Sequence, residues 1–277
     1  MDVRGAQAIF DLAGKVIVVT GSAGILCSPL CRTLATEGAK LALLDINTEE
    51  VDNLTLEINQ SGGEAIALTC DVSEKKSLDA AAHGIMHSYG RVDILVNGAG
   101  GNNPRATTNA DLSFFDLPDS AIQWVVDLNL IGTIYACQVF GKLIAQQKKG
   151  VILNISSMNA FRPLTRIPAY SAAKAAVSNF TQWLAVHMAQ EYSQDIRVNA
   201  IAPGFFLTDQ NRYLLTDRVT GNLSERGQTI IDHTPMGRFG NPEDLVGTVL
   251  WLLSPAASFI TGIVVPIDGG FSAYSGV

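Results

Sequence analysis

Residues Lys15–Leu26 read KVIVVTGSAGIL. A β-branched run, Lys15–Thr20, passes straight into the glycine turn Gly21-Ser22-Ala23-Gly24 and then into apolar Ile25 and Leu26. A continuous apolar run of this length reads as a strand buried on both faces. The turn lets main-chain N–H groups approach an anion at a helix N-terminus. Gly21, Ser22, Gly24, Ile25 and Leu26 are therefore candidate contacts to a nucleotide pyrophosphate. Glycine turns after strands are common, so this segment alone leaves plain chain reversal open.

The same alternation continues outward. Further strands are expected at Lys40–Asp45, Ala65–Cys70, Val92–Asn97, Val151–Ser156, Ile196–Ile201 and Ile263–Ile267. Helical spacing fills 48–60, 74–88, 121–147, 171–192 and 242–253. Thr48-Glu49-Glu50 and Asn241-Pro242-Glu243-Asp244 read as helix starts. Strands alternating with such helices imply right-handed βαβ units. The expectation is a single-domain α/β protein: a doubly wound, parallel, seven-stranded Rossmann sheet with helices on both faces. One irregular stretch, about 204–233, follows a strand end and reads as a substrate lid.

The 277 residues carry a net charge of -7, with 47% hydrophobic and 16% charged residues. Such a chain can bury a large core, and its acidity argues against nucleic-acid and membrane-surface partners. Cys27, Cys31, Cys70 and Cys137 form no C-x-x-C pair and have no histidine cluster beside them, so neither a metal site nor a disulfide framework is expected. They read as reduced thiols of a cytoplasmic protein. The start, MDVRGAQAIFDLAGK, has no secretory h-region, and apolar stretches such as 245–253 are too short to span a bilayer.

The other strand ends carry polar groups. Asp45 closes the second strand, about 20 residues past the turn, where an acid would accept from ribose hydroxyls and repel a 2′-phosphate. No Arg or Lys stands at Ser22, Ala23, Ile46 or Asn47. This favours NAD(H) over NADP(H); a strand-end or capping acid is the other reading of Asp45. Asp71 closes the third strand and Asn97-Gly98-Ala99-Gly100-Gly101 the fourth.

Tyr170 and Lys174 lie four apart at the start of a predicted helix and so share a face. A nearby ammonium favours the phenolate, which would let Tyr170 exchange a proton near neutral pH. Ser157, at a strand end 13 residues earlier, can donate to the same substrate oxygen. A Tyr-x-x-x-Lys pair alone is a frequent chance match; its setting is what gives it weight.

These residues together resemble the short-chain dehydrogenase/reductase family over essentially the full length. The resemblance rests on Thr20-Gly21, Asn97-Gly98-Ala99-Gly100, Asn129 in Asp-Leu-Asn-Leu and Ile155-Ser156-Ser157. It continues through Tyr170-x-x-x-Lys174, Asn199–Gly204 and Asp268-Gly269-Gly270. It implies that Tyr170 is the general acid/base, that Ser157 polarises the carbonyl, and that Lys174 holds the ribose and tunes Tyr170. Asn129 would support a proton-relay water; a kinking or capping amide is its other reading. It also implies cofactor contacts at Asp71, Val72, Asn97, Gly98, Ala99, Pro203, Gly204, Phe206 and Thr208. The turn departs from the family's T-G-x-x-x-G-x-G: Ile25 and Cys27 occupy the two later glycine positions, and Gly24 is shifted by one.

Longer strings resemble the D-mannonate oxidoreductase (D-fructuronate reductase) branch: 100–108, 157–161, 203–206, 210–212 and 271–277. That implies a sugar-acid substrate. Arginine can grip a carboxylate bidentately. Arg105, Arg162, Arg166 and Arg212 lie in loops expected at the carboxyl edge, with Asn102, Asn103, Asn159, Phe205 and Gln210 nearby. Each Arg also reads as a solvated loop charge. Rivals are gluconate 5-dehydrogenase, 2-deoxygluconate dehydrogenase and 3-oxoacyl reductase types, or a non-catalytic nucleotide-binding protein. The resemblance further implies a homotetramer built on helices 121–147 and 171–192 and on the C-terminal segment.

Overall fold

The structure, a computed structural model, describes residues 5–207, 215–216 and 222–276. Seven parallel strands form one sheet in the order β3-β2-β1-β4-β5-β6-β7. They are β1 (Val16–Thr20), β2 (Lys40–Asp45), β3 (Glu64–Thr69), β4 (Ile94–Asn97), β5 (Gly150–Ile155), β6 (Ile196–Pro203) and β7 (Val264–Ile267). After one short helical turn, α1 (Ala6–Ile9), the helices are α2 (Cys27–Thr36), α3 (Thr48–Gln60), α4 (Lys75–Tyr89), α5 (Asp119–Val126), α6 (Gly132–Gln147), α7 (Pro168–His187), α8 (Glu225–Asp232) and α9 (Val246–Leu253). The expected doubly wound fold is therefore present.

Side chains alternate between the two faces of each strand. Ile17 and Val19 of β1 pack with Leu41 and Leu43 against α2, α3 and α9. Val16 and Val18 pack with Ala42 and Leu44 against α4, α6 and α7. Both faces are covered, which is why these strands read as unbroken apolar runs. The helix starts hold as well. Asn47 accepts from the Glu50 N–H at the head of α3. Asn241 and Asp244 form a reciprocal capping box over a 3-10 turn, Pro242–Leu245, that leads into α9.

The expected helix 121–147 begins at Asp119 and is interrupted by a π turn, Asp127–Ile131. The run Asp119–Gln147 is long and apolar enough to cross a membrane, with mean hydropathy 1.4. This corrects the expectation that the apolar stretches are all too short. More than half of that window is buried inside the fold, where α6 supplies the core residues Ala136, Phe140 and Ile144. Its apolarity serves the sheet.

The strand order reverses between β1 and β4, and Thr20 is in register with Asn97 across that junction. Ligands of such sheets bind in the crevice beyond the carboxyl ends at this switch point. Asp45, Thr69, Asn97, Ile155 and Pro203 all close strands on this one edge.

Candidate active site

Strand β5 ends at Ile155, and Ser156 and Ser157 follow. Pro168 opens α7; its fixed φ suits a first helical turn. Tyr170 thus falls in the first turn and Lys174 one turn on. Lys174 is 4% exposed and donates from Nζ to the Ile155 carbonyl (2.8 Å). Its Nζ stands 5.6 Å from the centroid of the Tyr170 ring. The two serines have separate jobs. Ser156 Oγ donates to the Lys174 carbonyl (3.0 Å) and pairs with Ser178 Oγ (2.7 Å), tying the strand to α7. The Ser157 hydroxyl faces the Tyr170 phenol closely enough to oppose the upward push of burial on it.

Asn129 lies fully buried in the π turn. Its Nδ2 donates to the carbonyls of Gly101 (2.7 Å) and Val125 (2.8 Å), and its Oδ1 accepts from the Gly101 N–H (3.1 Å). A Cβ on Gly100 would lie 2.9 Å from Asn129 Oδ1 and 3.1 Å from Lys174 Nζ, so both groups flank Gly100. These bonds clamp Gly101 and set Asn129 beside the lysine. The structure therefore brings all four expected residues to one spot.

Their protonation differs from the sequence expectation. Burial pushes the Tyr170 phenol up from its ordinary value, against the opposing hydrogen bond from Ser157. Burial also lowers the Lys174 ammonium to about 8. At the phenol, burial outweighs the opposing contact with Ser157.

At the glycine turn, Gly21 has φ +63, and a Cβ there would lie 2.6 Å from Ala99 Cα. Ser22 is fully buried and bonds the Leu44 carbonyl through both N (3.1 Å) and Oγ (3.3 Å), so its hydroxyl is not offered to a ligand. The Ala23 N–H donates to Asp45 Oδ2 (3.1 Å) and the Asn47 N–H to Asp45 Oδ1 (3.0 Å). Asp45 remains part-exposed at the cleft, so it braces the turn and keeps acceptor capacity for hydroxyls. The amides of Ile25 and Leu26 have no acceptor among the described residues. They stand immediately before α2, where an anion is favoured. This cradle fits a dinucleotide.

The departure from the family turn is compensated. Cys27 sits where the last glycine is expected, 2% exposed, its thiol held neutral by burial, which pushes it to about 12. A Cβ on Gly98 would collide with Cys27 Sγ and lie 2.8 Å from the Thr20 carbonyl. The volume gained at Cys27 is absorbed at Gly98, a pairing invisible until the two chain segments meet.

Other candidates divide. Asp71 accepts from Ser73 N (2.9 Å) and Oγ (2.7 Å) at the edge, while Val72 is buried. Asn97 is turned inward: its Nδ2 donates to Asn154 Oδ1 (2.8 Å), and its Oδ1 is buried without a partner among the described residues. Gly204 closes on Asp268, whose Cβ would be 2.6 Å from a Cβ there, just past Pro203. Phe206 is 5% exposed, its ring against Gly240 in the core, so it does not face the cleft. Phe205 instead meets Phe271 of the C-terminal segment edge-on at 5.1 Å. Thr208, Gln210 and Arg212 lie outside the described residues, as do 208–214 and 217–221 of the expected lid, 204–233; α8 falls within its described part.

On the substrate side, the Thr108 N–H donates to the Arg166 carbonyl (2.9 Å), zipping loops 101–108 and 161–167 together. Ala106 packs with Ala169 and Tyr170 beneath them. Arg105 and Arg166 are exposed on this rim. Arg162 is committed elsewhere, its Nε donating to the Ser272 carbonyl (3.1 Å). Asn102 bonds Thr107 Oγ1 (2.8 Å), and Asn103 Oδ1 takes the Arg105 N–H (2.9 Å), so both amides mainly shape the loop. The tail contact was missed in the sequence because it joins residues far apart in the chain.

A family model described as "Enoyl-(Acyl carrier protein) reductase" matches residues 24–272. The chain belongs to the short-chain dehydrogenase/reductase family. It is 48% identical over 276 residues to an uncharacterized oxidoreductase, UxuB, of Bacillus subtilis, covering 96% of this chain and 98% of that one. A crystal structure from Haemophilus influenzae, named as a candidate D-mannonate oxidoreductase with NAD bound, superposes with TM-score 0.91 at 48% identity, covering 98% and 99% of the two chains. The 7α-hydroxysteroid dehydrogenase of Escherichia coli is 33% identical over 259 residues, 94% of each chain. In this reductase-family chain, Tyr170, Lys174, Ser157 and Asn129 are gathered at the carboxyl edge of the sheet.

The Cys27–Gly98 contact gives a direct test. Gly98→Ala should lower stability by about 2 kcal/mol, the range of core overpacking, and weaken dinucleotide binding. Cys27→Gly on that background should recover part of the loss, leaving the Thr20 clash. Urea unfolding and NADH fluorescence titration measure both.

Proposed function

We propose that the chain is an NAD(H)-dependent oxidoreductase of a sugar acid, interconverting D-fructuronate and D-mannonate. The balanced reaction is D-fructuronate + NADH + H⁺ to D-mannonate + NAD⁺. What carries the reading is the pair of joined loops bearing the exposed Arg105 and Arg166, whose Ala106 shares an apolar cluster with Tyr170, together with near full-length similarity to a protein named for this activity and holding NAD. A steroid pocket would call for apolar loops at that rim.

When bound, the nicotinamide supplies or accepts the hydride. The chain's own residues do the rest. Ile25 and Leu26 amides would meet the pyrophosphate, and Asp45 the adenosine ribose, where its charge disfavours a 2′-phosphate. Lys174 would hold the other ribose. Ser157 donates to the substrate oxygen, and Tyr170 gives that oxygen its proton in reduction or removes it in oxidation. An exposed guanidinium on the rim meets the carboxylate.

Three groups of outcomes check this, the first in steady-state kinetics. With purified protein, NADH should reduce D-fructuronate far faster than other keto acids, and better than NADPH does. Asp45→Ser should narrow that cofactor ratio about tenfold or more, and Tyr170→Phe should cost at least about 100-fold in kcat. Preferred reduction of a 7-oxosteroid would overturn the substrate reading.

The second outcome concerns pH. Because burial raises the phenol, Tyr170 keeps its proton at neutral pH and is ready as the acid for reduction. Oxidation needs it deprotonated, so kcat/KM for D-mannonate oxidation should keep rising into the alkaline range while the reduction rate does not. A flat oxidation profile from neutral pH upward would count against it.

The third concerns assembly and place. A cytoplasmic homotetramer is proposed, with α6 and α7 forming one interface. Their outer faces frame a groove with Phe180, Trp183, His187 and Tyr192; Trp183, 56% exposed, stacks on His187 at 4.7 Å. Trp183→Glu should convert tetramers to smaller species by light scattering after gel filtration.

A further inference from the structure

Asn159 entered the sequence reading as a candidate substrate contact, yet it is only 6% exposed, in the 3-10 turn Met158–Ala160. Its amide is fully oriented. Oδ1 accepts from the Leu164 N–H (3.1 Å) and from Ser171 Oγ (3.2 Å). A backbone N–H can only donate, so the oxygen must face Leu164 and the flipped amide is excluded. Nδ2 is therefore turned to Ser157 Oγ, at 3.2 Å. The Asn159 main-chain N–H donates to the same oxygen, at 3.3 Å.

The consequence lies in the hydroxyl. Ser157 Oγ has two acceptor positions and one proton. Both acceptor positions are taken by Asn159. The proton is then left to point away from Asn159, toward Tyr170 and the oxygen of a bound substrate.

We infer that Asn159 is a positioning residue that fixes Ser157 as a hydrogen-bond donor, through an amide locked by Leu164 and Ser171. A carboxylate at this position would keep the shape and both outer bonds but reverse the inner one. Ser157 would donate to it, and its proton would be withdrawn from the substrate. The role rests on the oxidoreductase reading of the site but on no particular substrate.

The test is a double-mutant cycle in ketone reduction with NADH. D-Fructuronate is used, or whichever keto acid the wild-type protein reduces best; inactivity toward fructuronate alone would count against the substrate proposal and not against Asn159. Asn159→Asp is expected to lower kcat about 100-fold, the order seen when an oxygen-stabilising donor is lost, while KM for NADH stays within about twofold. On a Ser157→Ala background the same change should cost less than about threefold, because the two residues act as one unit. A full, additive loss on that background would overturn the inference, as would wild-type kcat in Asn159→Asp. If Asn159→Asp does not fold, Asn159→Ala carries the cycle, with a smaller loss and the same masking. A readout free of turnover runs beside it. The side-chain ¹⁵N–¹H resonances of Asn159 should shift in Ser157→Ala, and unchanged resonances would refute the contact.

Discussion

An ammonium buried to 4% exposure is the constraint around which this site is organised. A buried charge must be hydrogen-bonded or it costs several kcal/mol. Lys174 meets that need at the Ile155 carbonyl, the last residue of β5. The bond fixes α7 against the end of the strand. Tyr170, one turn earlier on the same helix face, and Ser157, two residues past Ile155, are then brought toward one another. Ser156 closes the arrangement from below by bonding the Lys174 carbonyl. On the other side, Asn129 clamps Gly101, and the bare Gly100 leaves room for the lysine tip.

The nucleotide end follows a comparable logic of exclusion. Gly21 needs a positive φ and nearly touches Ala99, so β1 and β4 can meet at the switch point. Cys27 adds volume where a glycine is expected, and Gly98 removes it. Asp45 both steadies the turn through Ala23 and keeps part of its carboxylate at the surface. Deeper in the sheet, Asn97, Asn154 and Thr181 form a buried polar chain, with Asn154 Nδ2 donating to Thr181 Oγ1 at 2.9 Å. This chain ties β4 and β5 to α7, although the Asn97 Oδ1 within it has no partner among the described residues.

The fold was legible because both faces of a parallel sheet are buried. That makes each strand an apolar run and each crossover an amphipathic segment, visible in β2, which ends at Asp45 as expected, and in α3, which spans 48–60 as expected. Strand ends were less legible: β6 continues to Pro203 because β7 pairs with it to Ile267, a partner distant in sequence. The π turn at 127–131 left no periodicity signal, since one extra residue in a turn barely disturbs the pattern.

Among site residues, Tyr170, Lys174 and Ser157 could be named from type and spacing, because helix geometry puts residues four apart on one face and strand ends gather at one edge; Asn129 came only with the family resemblance. What the sequence by itself determined is thus the fold class and the identity of the candidate reacting groups. Only the tertiary structure decided their state and orientation. It turned Ser22, Asn97 and Phe206 inward, committed Arg162 to the tail, raised the Tyr170 phenol by burial, and spent both acceptor positions of Ser157 on Asn159. Desolvation and hydrogen-bond direction depend on which distant segments close over a group, and local sequence does not contain that information.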